Sequence, residues 1–322
     1  MRDGATGCLL AILIGAPVVA AAQAYPSRII RIVVPFTPGG PQDVNARLIG
    51  QKLTEAWGQA VVVENRAAAG GIVATEYVAK AAPDGYMLLM GNPTPLTIAP
   101  SLYDKLGYDP QRQFAPVILV TQTASVFVVH PSVPAKNIKE LVALAKTKPG
   151  RLIYGTSGIG STGHLTIELF STLTGITMTH VPYKGASQAI SDMIAGQIDL
   201  RMFPIPVTIP LVKDKRVRPL GVTSLQRFPL LADVPTIAEQ GLPGFESTNW
   251  NGILAPAGTP REIVDKLNQA INKTMTRPEM KEKLASQGAD GLTSSPAELA
   301  TFVQRELAKF AAIIKAAGVR VE

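Results

Sequence analysis

Between residues 29 and 36 the chain reads IIRIVVPF, a β-branched apolar run of the kind that forms a buried strand. The period then changes. Val44, Leu48, Ile49, Leu53 and Trp57 recur at helical spacing, with Pro41 suited to the first turn and Gly58 placed to cap the far end. AVVVEN (60–65) predicts a second strand, IVATEYVAKA (72–81) a helix, and YMLLMGN (86–92) a third strand after the Pro83-Asp84-Gly85 turn. Strands alternating with helices predict a parallel sheet in an α/β fold.

The pattern restarts after a long β segment, APVILVTQTASVFVVHP (115–131), which is long enough to pass from one sheet to another. A helix at 138–148, a strand at 151–156, a helix at 164–175, a strand at 178–183, a helix at 188–196 and strands at 198–203 and 217–224 follow. TNWNGILAPAGTP (248–260) predicts a second crossing, and amphipathic helices run from Arg261 to the end. Two α/β units joined by two extended crossings predict a bilobed protein. Residues 25–125 with 251–322 form the expected first lobe and residues 126–250 the second. C-terminal strand ends and helix N-termini then face a cleft at the hinge, where open α/β sheets bind ligands.

The N-terminus changes the picture of where this fold resides. CLLAILIGAPVVAA is a short apolar run followed by Ala22-Gln23-Ala24, the pattern of a secretory signal peptide cleaved after Ala24. Export to the periplasm is expected. The single cysteine of the 322 residues, Cys8, lies inside that segment, so disulfides, thiolate metal sites and cysteine nucleophiles are excluded from the remainder. The net charge of +7 is dispersed, and its one cluster, KDKRVR (213–218), has no interleaved aromatics. The cluster reads as a solvated loop, and a mildly basic surface fits acidic small ligands or an anionic membrane partner better than nucleic acid.

The chemically richest stretch is YGTSGIGSTGHL (154–165), which contains G-x-G-x-x-G. A dinucleotide site would need an acidic residue at the end of the next strand, where Tyr183 and Lys184 stand instead. A nucleophile elbow would need glycine two residues after Ser157, where Ile159 stands. The three histidines, 130, 164 and 180, are scattered in sequence and suggest neither a triad nor a metal site. What remains is a strand entering a glycine- and hydroxyl-rich turn that opens a helix. Thr156, Ser157, Gly158, Ile159, Gly160, Ser161 and Thr162 then offer backbone and hydroxyl donors at the positive end of a helix, an anion cradle that needs no cofactor. A plain capping turn is the competing reading.

PFTPGGPQD (35–43) is a second such turn, in the other lobe, with Phe36, Thr37, Pro38, Gly39, Gly40, Gln42 and Asp43 as candidates. Asp43 caps the helix or meets the ligand. Gly91 and Asn92 end the third strand, and Tyr183, Lys184 and Gly185 end a strand of the second lobe. His164 packs, caps or touches ligand. Trp250 either walls the cleft or packs near the hinge. Asp199 and Arg201 share a strand face, so mutual pairing competes with ligand contact.

The landmarks YPSRIIRIVVPFTPGG, GQAVVVENRAAAGG, YVAKAAPDGYMLLMGN, YGTSGIGSTGHL, VPYKGASQAISDMIAGQIDL and WNGILAPAGTP, in this order, resemble the Bug or TctC family. Its members are extracytoplasmic solute receptors of tripartite tricarboxylate transporters. The resemblance implies a two-lobed, type II periplasmic-binding-protein fold that closes on a small carboxylate, and no catalysis. By position it assigns Phe36 to Gly40 and Asp43 to the first binding loop, Gly155 to Thr162 to the carboxylate loop, and Tyr183 to Gly185 to the following strand end. Pro41-Gln42 depart from the family pattern of a third glycine and a threonine, and Ile159 stands where a polar residue is usual. The expected partners are membrane permease subunits, with a sensor kinase ectodomain as the alternative, and the receptor is expected to act as a monomer. An exported α/β hydrolase is the rival from another class, disfavoured by the incomplete elbow.

Overall fold

The computed structural model describes residues 25–183 and 186–320. The expected signal segment, Lys184 and Gly185 lie outside the described residues. The first unit runs β1 (Ile30–Val34), α1 (Pro41–Trp57), β2 (Val61–Asn65), α2 (Ile72–Ala79), β3 (Met87–Gly91) and α3 (Ala99–Leu102). Then comes the 16-residue strand β4 (Phe114–Val129). The second unit comprises α4 (Ile138–Thr147), β5 (Ile153–Thr156), α5 (Thr162–Thr174), β6 (Thr179–Pro182), α6 (Ala186–Ile194), β7 (Leu200–Pro204), α7 (Ile205–Lys213) and β8 (Arg218–Val222). The chain returns through β9 (Thr248–Pro256), α8 (Arg261–Met275), α9 (Pro278–Ser286), β10 (Asp290–Gly291) and α10 (Pro296–Ala317).

All ten strands join in one curled sheet, ordered β2-β1-β3-β9-β4-β7-β5-β6, with β8 and β10 pairing β4 off this path. Strand β4 belongs to both halves. From Phe114 to Ala124 it pairs antiparallel with β9, and from Ser125 to Val129 with β7. β1 pairs parallel with β2 and β3, as β5 does with β6 and β7. The expected bilobed architecture of two α/β units joined by two crossing strands is the observed one.

Local signals explain several boundaries. Pro41 opens α1, and Gly58 closes it in the left-handed conformation at φ 66°, a geometry that glycine adopts without steric cost. A capping box between Ser295 and Glu298 starts α10. Two helical stretches are absent from the hydrophobic pattern: the π-helical turn Thr94–Ile98 leading into α3, and α7. Both carry prolines, and Pro210 sits inside α7, where its ring removes a helical hydrogen bond. Side-chain burial outweighs that loss, since Ile205 is fully buried and Val207, Ile209 and Leu211 pack against the second-unit core.

The cores follow the two halves, with one exception. Phe310, Ile313 and Ile314 of α10 join Ile98 of the first unit and Leu165 of α5 in the second. The last helix therefore packs on both units.

Candidate functional site

Strand register decides which loops meet. β3 ends at Gly91 opposite Gly252, and β9 starts at Thr248 opposite Ala124. β7 ends at Pro204 opposite Ser125, and β5 runs parallel to it. The C-terminal ends of β1, β2 and β3 thus approach the Ala124–Ser125 crossing from one side, and those of β5, β6 and β7 approach it from the other. The turns after β1 and β5 face the same hinge.

In the first turn Thr37, Pro38 and Gly39 are exposed, while Phe36, Gly40 and Gln42 are half-buried. Gly39 stands at φ 83°, and nothing lies within 4 Å of where its Cβ would be. Asp43 is buried and already engaged. Its Oδ2 accepts from the Gly39 amide at 2.9 Å and from Arg47 Nε at 3.0 Å. Burial pushes its pKa up, but the Arg47 and Gly39 hydrogen bonds outweigh that and hold the carboxyl below its ordinary value. Arg47 also donates to Asn65 Oδ1 at 3.0 Å, and Asn65 Nδ2 donates to the Phe36 carbonyl at 3.1 Å. Asp43 is therefore a strut that folds the turn back on α1. Arg47 and Asn65 were missed as its supports, although the Asp43–Arg47 spacing of four on a helix is a readable signal.

In the second turn Gly158 and Gly160 take φ values of 123° and 73°. Thr156 Oγ1 accepts the Gly158 amide at 3.2 Å, and Ser161 Oγ accepts the His164 amide at 3.2 Å as the cap of α5. Beneath the turn lies a stack of rings. His164 and His180 are 4.1 Å apart between centroids, and Tyr154 lies 4.8 Å from His180. His164 Nδ1 accepts the Gly160 amide at 3.1 Å, and His180 Nε2 lies 2.7 Å from Thr156 Oγ1. The Tyr154 hydroxyl donates to Glu168. Burial, then the neighbouring His164, push His180 down to about 4, and burial lowers His164 too. The amides of Ser157, Ile159, Thr162 and Gly163 and the hydroxyls of Ser157 and Thr162 have no partner among the described residues. These are donors at a helix start, as an anion cradle requires. Ile159 projects from the same turn, 55% exposed.

The remaining candidates separate. Gly91 is needed for packing, since a Cβ there would meet Leu96 and Leu254 at 2.4 and 2.5 Å. Asn92 is buried at the end of β3, its Oδ1 accepting from the Thr94 amide at 3.1 Å and its Nδ2 unpartnered. Tyr183 is buried, and its hydroxyl donates to Asp192 at 2.8 Å. Asp199 accepts the Ile153 amide at 2.8 Å and makes no ion pair with Arg201, so of the two alternatives mutual pairing is not what the structure shows. Trp250 lies in β9. It is fully buried and edge-on to Phe302 at 5.5 Å, with its Nε1 unpartnered. Among the described residues no group of His, Cys, Asp and Glu is arranged to hold a metal ion, and no helix is long and apolar enough to cross a membrane. Two surface hollows of about 440 Å³ each lie away from both turns, one beside Arg28 and Tyr86, the other between Leu119 and Phe302.

A family model described as tripartite tricarboxylate transporter family receptor matches residues 45–319. The chain is similar to Protein BugT of Bordetella pertussis, with 34% identity over 310 residues covering 96% of this chain and 94% of that one. Among solved structures it is similar to R. palustris Rpa4515 with adipate, at 38% identity and a TM-score of 0.78, over 92% of this chain and 100% of that one. It is also similar to MatC (Rpa3494) from Rhodopseudomonas palustris with bound malate, at 33% identity and a TM-score of 0.73, over 90% of this chain and 100% of that one.

Proposed function

The chain belongs to the tripartite tricarboxylate transporter receptor family, whose members are solute-binding receptors and not enzymes, and from that premise we propose that it binds a small organic acid in the periplasm and delivers it to membrane permease subunits. The observation that carries this reading is the turn after β5, whose free amides and hydroxyls open α5 and face the turn after β1 across the hinge. The adipate and malate held by the two R. palustris proteins support a carboxylate as the ligand class.

In this reading Ser157 to Thr162 hold the carboxylate, and Thr37, Gly39, Gly40 and Gln42 close on it from the first lobe. Asp43 keeps the first turn in shape. Closure moves residues 25–125 with 251–322 against residues 126–250, articulating where β4 changes partners. Water is then excluded, and each hydrogen bond to the ligand strengthens in the lower dielectric. Export removes residues through Ala24, which N-terminal sequencing of protein recovered from the periplasm checks.

Thermal melting against adipate, malate, a neutral sugar and a divalent cation tests the ligand class. A carboxylate at 100 times its Kd adds ~2.7 kcal/mol of stability. If only the sugar or the cation raises the midpoint, the receptor is not one for organic acids.

A further inference from the structure

Arg201 is 5% exposed, and its Nε and Nη1 are buried with no hydrogen-bond partner. Among the described residues no carboxylate lies within ion-pair distance of it. Asp199, two residues away, accepts the Ile153 amide, and Asp192 accepts the hydroxyl of Tyr183. A guanidinium in such surroundings carries a desolvation cost that an opposite charge would offset.

Its placement says where that charge comes from. Arg201 sits in register with Val128 on one side and Gly155 on the other, one residue before Thr156 and the turn it opens. Its Cζ lies 5.1 Å from the Phe203 ring centroid, so the side chain leans along β7 towards the Pro204–Ser125 pair at the crossing. Gly155 has no side chain, and Ile198 Cδ1 and the Tyr183 ring fill that space, 2.5 and 3.1 Å from where a Cβ would stand. The guanidinium therefore lies beside Phe203 towards the hinge-side end of β7, the strand that neighbours β5 and the turn that β5 opens.

We propose that Arg201 is the counter-ion for a carboxylate of the bound ligand, recruited from the floor of the second lobe when the ligand seats against the turn after β5. This rests on the carboxylate-receptor reading above and adds to it a charged group that contacts the ligand. Free amides orient a carboxylate, whereas a planar guanidinium supplies full charge and paired donors. A diacid is the ligand best served, with one carboxylate on the amides and one on Arg201.

Calorimetric titration of the purified protein with adipate, malate and the neutral adipamide tests this, using Arg201→Met and Arg201→Lys, each checked for native circular dichroism. Arg201→Met should lose about 10- to 100-fold in affinity for the better diacid, the range for a charged hydrogen-bonding group, and change little towards adipamide. Arg201→Lys, which keeps the charge without the fork, should fall between. Without ligand, Arg201→Met should melt no lower than the parent, because an unpaired charge has been removed. Equal diacid affinity in parent and both variants overturns the role of Arg201 and leaves the receptor reading intact. Failure of the parent to bind either diacid overturns the reading itself, and the proposal with it. If Arg201→Met does not fold, an unchanged diacid affinity in Arg201→Lys still counts against the fork.

Discussion

His164 and His180 lie face to face, 11° from parallel, and each meets one end of the same turn: His164 through the Gly160 amide, His180 through the Thr156 hydroxyl. The pair works as a neutral clamp. Protonating either ring would place a charge against its stacked neighbour, His164 being buried and His180 half-buried.

The sign of the pH effect follows. The folded-state pKa of His180 is depressed from 6.5 to about 4, so the unfolded chain binds the proton more readily between those values. Stability should be fully present above pH 6.5 and decline as pH falls towards 4. Thermal melts across that window should show the fall in the parent protein and a shallower one in His180→Asn. Parallel curves would remove the histidine clamp as the cause.

Arg47→Met leaves Asp43 nearly buried without its cation. The cost should be about 1–2 kcal/mol at neutral pH, since one partner is half exposed. Asp43 has a depressed pKa, so its contribution is present above its ordinary value of 3.8 and is lost as pH falls through the lowered value. Urea titrations of parent and variant should therefore differ at pH 7 and converge in acid. A difference that persists in acid would point to lost side-chain packing instead.

Trp250→Ala tests whether this residue belongs to the core or the cleft. Removing a fully buried tryptophan should cost about 3–5 kcal/mol, read by chemical denaturation. Carboxylate affinity of the folded fraction should change far less. A variant of native stability with weakened binding would place the ring in the cleft after all.

Ile159→Ser alters a side chain that packs on little, so stability should stay within about 0.5 kcal/mol of the parent. If the isoleucine meets the ligand's carbon chain, adipate should lose several-fold in affinity, at about 0.8 kcal/mol per methylene no longer covered. Malate, with its shorter polar chain, should lose less. Equal losses for both acids would make Ile159 a shape element of the turn.

Much of the first unit was readable because its signals are local. The Val44-to-Trp57 period, Pro41 and Gly58 report one helix without reference to anything distant. The length of β4 likewise announced a strand with two sets of partners. Prolines concealed α3 and α7, because their helical cost is local and the burial that offsets it is not. The site was half legible for the same reason. Glycines and hydroxyls mark a turn in sequence, but His164 and His180 become neighbours only when β6 pairs with β5, bringing His180 beside Tyr154. Strand alternation alone leaves pairing of Arg201 with Asp199 and contact with a ligand as equal alternatives, and only the position of the Ile153 amide shows that the acid is taken.

The return of the chain through β9 sets an order of assembly. Every strand of the second sheet half is present once residue 222 has been made, whereas β3 must wait for β9 to cover its open edge. The first half therefore closes last. It depends on contacts between segments far apart in sequence, among them Ile98 with Phe310, and such contacts form slowly. A nascent chain would hold a nearly finished second unit beside an N-terminal sheet with an exposed apolar edge, and that edge is the part of the molecule most in need of a chaperone until β9 arrives.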